Sequence, residues 1–153
     1  MSLSKTVGAI LISLVLTSFL LPNLLVYGQA YPLVIAGVRT LDISGNPVNS
    51  FTRGGTAVVE VTLRSTEHYT LTKSYLLIVE VFDPRGYVVY VGFVTDTITG
   101  GQTKTCGAGY NIPYNSQPGT YVAKVFCWNN WPSIAGPSWR SWAAPSQVTF
   151  NVT

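Results

Sequence analysis

The sequence predicts an all-β protein, an antiparallel β-sandwich of seven to eight short strands behind an N-terminal hydrophobic signal helix. Three observations carry that expectation. Apolar residues recur with period two in several separate segments, as in strands with one buried face. Clusters of Gly, Pro, Asn and Ser interrupt those segments. No segment beyond residue 30 combines a helical period with caps.

The N-terminal segment sets the compartment. Met1 to Lys5 is polar with one positive charge, Val7 to Leu21 is apolar, and Pro22-Asn23 ends the run. Gly28 and Ala30 place small side chains at the −3 and −1 positions of a cleavage after Ala30. Residues 1–30 are therefore expected to be a secretory signal peptide, and residues 31–153 the mature domain, secreted or held at the cell surface. The competing reading is an uncleaved signal anchor. Val7 to Tyr27 is long enough to cross a bilayer, although Ser13, Thr17, Ser18, Pro22 and Asn23 weaken it. Membrane contact is expected only if that segment is retained.

The strands follow in order. Ala57, Val59, Val61 and Leu63 alternate with Glu60, Thr62 and Arg64. Leu77, Val79 and Val81 share a face opposite Glu80, and Asp83-Pro84-Arg85-Gly86 then has the residues of a type I turn. Tyr87 to Val94, rich in aromatic and β-branched residues, reads as the returning strand of that hairpin. Tyr121, Ala123, Val125 and Cys127 face away from Lys124, and Val148, Phe150 and Val152 complete the inward set. The predicted core is thus anchored on Val59, Val79, Tyr121 and Val125.

Charge is scarce: only 10% of residues are Asp, Glu, Lys or Arg, against about a quarter in an ordinary soluble domain. Without Lys5, eight scattered basic residues face six acids, a net charge of +2. No basic cluster is present to neutralise phosphates, so nucleic acid is not an expected partner. A surface of Thr, Ser, Gly, Asn and Tyr suits neutral, hydrogen-bonding contacts.

Pro118-Gly119-Thr120-Tyr121 opening an alternating strand resembles the approach to the F strand of immunoglobulin-like and fibronectin-type domains. The string from Leu77 to Gly86, with Ile98 to Gln102, Ile112-Pro113 and Trp128-Asn129-Asn130-Trp131-Pro132, is similar to small Ig-like modules of archaeal and bacterial surface proteins. Those include the CARDB-type cell-adhesion-related domains. The resemblance implies an Ig-like sandwich over Leu33 to Val152. It also implies a tyrosine corner, in which the Tyr121 hydroxyl bonds backbone between Tyr114 and Gly119. There is no B-strand cysteine, so the antibody-type B–F bridge is excluded.

Candidate site residues are few. Cys106 and Cys127 are the only cysteines, and in an exported chain they are expected to form a disulfide. It would close a loop of about twenty residues and contribute roughly 3 kcal/mol. Cys106 shares parity with Lys104, which points it outward unless Gly107 or Gly109 introduces a bulge. No metal site or cofactor is expected: one histidine and no methionine beyond Met1 cannot build a blue-copper centre. His68 reads as a solvated loop residue, and nothing selects a carboxylate pair or a nucleophile.

Trp128, Trp131, Trp139 and Trp142 all lie between the last two strands, with Arg140 and three prolines. Either they cap the open end of the core, or Trp131, Trp139, Arg140 and Trp142 form a binding surface for sugar rings or a partner's pocket. Asn151-Val152-Thr153 is a glycosylation sequon at an outward strand position. The leading expectation is a non-enzymatic surface domain acting by contact with a protein partner or with itself, in an envelope or filament. A carbohydrate-binding module using residues 128–144 is the alternative, and a small secreted hydrolase the second alternative.

Overall fold

In the computed structural model, which describes residues 30–153, eight strands form two sheets. The strands are β1 (Leu33–Leu41), β2 (Ser50–Phe51), β3 (Thr56–Ser65), β4 (Thr72–Phe82), β5 (Val88–Thr99), β6 (Thr103–Asn111), β7 (Gly119–Trp128) and β8 (Ser146–Val152). One sheet has the order β1-β3-β6 and the other β2-β8-β7-β4-β5. Every pairing is antiparallel except that of β2 with β8. The expected leader over residues 1–30 falls almost wholly outside the described residues.

Period-two alternation becomes burial. Ala57, Val59, Val61 and Leu63 of β3 join Leu77, Val79 and Val81 of β4, and Tyr121, Ala123, Val125 and Cys127 of β7, in one core cluster drawn from both sheets. Its aromatic end stacks Tyr121 on Phe150, with ring centroids 5.5 Å apart, and sets Phe51 edge-on against Phe150 at 5.5 Å. The Tyr121 hydroxyl donates to the Gln117 carbonyl at 2.8 Å, giving a buried phenol the partner it needs. Tyr90 of β5 reaches Tyr110 of β6, centroids 5.5 Å apart, across the seam between the sheets. Gly92 is required beside it, because a Cβ there would collide with the Tyr90 ring.

The β4–β5 hairpin turns where its sequence dictates. Gly86 takes φ of 84°, open to glycine, and its N–H donates to the Asp83 carbonyl at 2.9 Å. The buried Asp83 carboxylate accepts from the Tyr87 and Arg85 N–H groups and from the Arg85 guanidinium. Burial opposes its charge, but these donors prevail and hold the carboxyl below its usual range.

Two expectations need correction. Lys104, Cys106, Ala108 and Tyr110 form the core-facing side of β6, and the register with β3 runs without a bulge from Thr56 to Arg64. Lys104 obscures this pattern because it lies at the strand's start, where its ammonium reaches out to Asp96 at 2.7 Å. Cys106 therefore points inward. The expected disulfide is also not present: Cys106 and Cys127 are free thiols. The Cys106 sulfur instead accepts from the Tyr75 hydroxyl at 3.8 Å. Burial pushes both thiols upward, Cys127 to about 12, with the neighbouring Cys106 adding to the shift.

Candidate functional site: the outer face of the five-stranded sheet

Strand register defines what the second face of this sheet carries. Ile78 lies between Phe93 of β5 and Phe126 of β7, and Leu76 lies between Thr95 and Trp128. Glu80 lies between Val91 and Lys124, and Phe82 between Val88 and Val122. Leu76 and Ile78 stand outside the inter-sheet core cluster, yet they are only 1% and 2% exposed.

Their cover is the tryptophan-rich connection. Trp131 packs edge-on against Phe93 with centroids 5.3 Å apart, and Trp139 packs edge-on against Trp128 at 5.3 Å. Between these rings the chain makes a helical turn, Pro132–Ala135, and a 3-10 turn, Gly136–Ser138. Asn129 fastens the return: its Nδ2 donates to the Ser138 carbonyl at 2.8 Å and its Oδ1 accepts from the Arg140 N–H at 2.9 Å. The Trp139 Nε1 is buried without a hydrogen-bond partner among the described residues.

The four candidate binding residues do not converge on one platform. Trp131 and Trp139 are half-buried in this outer layer. Trp142 packs against the inter-sheet core, its backbone bonded to Cys127 and Leu33, with the Lys73 ammonium 5.6 Å from its ring centroid. Arg140 is exposed, but its guanidinium is turned back onto the carbonyls of Pro137 and Trp139. Asn151 is exposed on β8, its Oδ1 accepting from the Thr120 hydroxyl at 2.9 Å.

The loop leaves β5 uncovered. Among the described residues, this twelve-residue strand pairs with β4 alone and forms the edge of the sheet. Val88, Val89, Val91 and Phe93 are all exposed, Val91 at 51% and Phe93 at 58%. A bulge at Val89 lies at the hairpin end, and the register from Tyr90 to Thr99 is regular. The strand contains no Lys, Arg or Pro, and its one charge, Asp96, is paired with Lys104. Free edges in soluble proteins are ordinarily blunted by such residues, because unpaired N–H and C=O groups recruit other strands. Sequence reasoning missed this feature because it assigned β5 only the role of a returning hairpin strand. The signal was the uncharged run from Tyr87 to Thr95.

Ionisable side chains are dispersed. Arg39 pairs with Glu60 across β1 and β3, and Asp42 is committed to its own loop, where Asn46 above all lowers its pKa. His68 is exposed, bonded to Thr70 at 2.9 Å. Among the described residues, no three His, Cys, Asp or Glu side chains converge on a metal-sized site.

No protein-family model matches this sequence, the CARDB-type likeness included, and no curated protein sequence matches it. Solved structures do match its fold. The C-terminal domain of wzt aligns with a TM-score of 0.58 and 10% identity, over 81% of this chain and 75% of that one. A β-glucuronidase from glycoside hydrolase family 2 aligns with a TM-score of 0.56 and 17% identity, over 79% of this chain but only 13% of its own. A glycosyl hydrolase family 2 member from Bacteroides cellulosilyticus gives 0.55 and 12%, over 78% of this chain and 15% of that one. At these identities the likeness is one of β-rich fold.

Proposed function

We propose that this chain is an exported, non-enzymatic binding module, an Ig-like β-sandwich that meets a protein partner at the cell surface through strand β5. The sandwich reading is supported by the strand orders, three strands β1-β3-β6 against five in the order β2-β8-β7-β4-β5, and by the tyrosine tie at Tyr121. Export is supported by the layout of residues 1–30. Dispersal of the acids and of His68 into turns, ion pairs and loops supports a role without catalysis.

The single observation that carries the contact is the open edge of β5. It offers unpaired backbone groups in line with an apolar side of Val88, Val89, Val91 and Phe93. An extended segment with a free edge, from a second copy or another surface protein, adds to such a strand through main-chain hydrogen bonds. Side-chain contacts with the valines and Phe93 then set the register. The test replaces Val91, Phe93 or, as a control on the three-stranded sheet, Thr62 with a photo-crosslinking amino acid in the native host. Protein adducts are expected from positions 91 and 93 and not from 62. No adduct from 91 and 93, or equal yield from 62, would overturn the proposal.

A further inference from the structure

We infer that the groove between the tryptophan loop and the β4–β5 ribbon is a binding site for a neutral oligosaccharide. The groove holds about 330 Å³, and its lining includes Ser74, Leu76, Thr95, Asp96, Thr97, Asn129 and Asn130. Register places the side chains of Ser74, Leu76, Thr95 and Thr97 on the outer side of the sheet. Leu76 is the buried floor, and three hydroxyls stand around it. Those hydroxyls take no part in the side-chain hydrogen bonds among the described residues, where the bonds of this region run through Thr72, Thr99, Gln102 and the Thr97 N–H.

The opposite wall is fixed in advance. Asn129 spends both ends of its amide on Ser138 and Arg140, which locks the loop's return. Asn130 spends only its oxygen, on the Trp131 N–H at 2.8 Å, and keeps two amide donors for a ligand. A wall already ordered loses little conformational freedom when a ligand arrives. Trp131, which follows Asn130 in the chain, is held edge-on by Phe93 and keeps this end of the loop in place.

The chemistry of these groups selects the ligand class. Hydroxyl and amide groups with no formal charge match the hydroxyls of a sugar. An anionic ligand finds no counter-ion among the lining residues. Asp96 at the margin is committed to the Lys104 ammonium and the Thr97 N–H, both at 2.7 Å. Lys104 holds its carboxyl below the usual range, so it stays anionic and would repel phosphates and uronates. The inference does not depend on the β5 contact, since its donors lie on the loop, at Ser74 of β4, and at Thr95 and Thr97 of β5, beyond the Val88–Phe93 stretch.

The test is isothermal titration of the purified full-length chain with maltohexaose, cellohexaose, mannohexaose and chitohexaose, alongside tryptophan fluorescence. Saturable binding of at least one is expected. Asn130→Ala and Thr97→Ala, with unchanged near-UV circular dichroism, are each expected to weaken it about tenfold. Gln147→Ala, on the outer side of β8, is the control and should leave affinity unchanged. The inference is overturned if none of the four binds at millimolar concentration. Binding that survives the double variant Thr97→Ala/Asn130→Ala at full affinity overturns it equally, since the sugar then sits elsewhere. Crosslinking at position 91 is unaffected by either result, so this site and the protein contact fail separately.

Discussion

The two faces of the five-stranded sheet are made from the same four long strands and treated in opposite ways. On the inner face, Leu77, Val79, Val81, Tyr121, Val125 and Phe150 are buried against the other sheet. The outer face is divided. Its upper half, at Leu76 and Ile78, lies under Trp131 and its neighbours, while its lower half and the β5 edge carry exposed Val88, Val91 and Phe93. Stability demands the first arrangement, because apolar area removed from water is the main favourable term in folding. Nothing in stability demands the second. An exposed apolar strip on a free edge lowers solubility, and the proposed contact would cover it.

Mutations on the two faces should separate accordingly. Tyr121→Ala should have the largest effect, a loss of roughly 3–5 kcal/mol in denaturant unfolding, while Tyr121→Phe should cost about 1 kcal/mol for the bond to Gln117. Ile78→Ala should cost about 2 kcal/mol, the lower end for a buried isoleucine, because a loop can settle into the space more readily than a sheet. A cost near zero would mean that the tryptophan layer contributes no packing. A cost equal to that of Tyr121→Ala would make the outer layer a second full core.

The thiols sharpen the inner side by pH. Cys127 titrates near 12 in the folded protein against an ordinary 9.0, so folding favours the protonated form. Its contribution is complete below pH 9 and is lost as pH rises through about 12; Cys127→Ala should flatten the stability profile in that window. At neutral pH, native alkylation without reductant should be slow and reach two labels per chain, with Cys106 first. A mass two units lower and no labelling would restore the bridge. Val91→Lys should have the smallest effect on stability, within about 0.5 kcal/mol, while removing partner contact.

Much of the inner face is legible in the sequence. Strict alternation in β3, β4 and β7 marks one buried side, and Asp83 to Gly86 and Pro118-Gly119 mark turns by residue type. Cys106 is harder to read, because the charge on Lys104 imitates a solvent face, whereas a lysine at a strand end reaches out of a core-facing row. The outer face was hardly legible. Leu76 and Ile78 break the alternation of β4, producing an apolar run from Tyr75 to Val79 that is a signal of burial on both sides. What covers them depends on where a 17-residue connection folds back, from Trp128 to Ala144. That is set by the long-range bonds of Asn129 and by ring contacts, neither of which has a local pattern. The groove at Asn130 exists only because of the same return.

The most direct test of the β5 contact is amide hydrogen exchange on the protein in its native surface setting and on the purified, dilute chain. The account expects protection gained on the surface over residues 88–94 of β5, with β3 and β7 equally slow in both states and little change in β1. Protection that stays the same over 88–94 while rising at β1 or on the three-stranded sheet would contradict it, and would move the contact to the opposite side of the molecule.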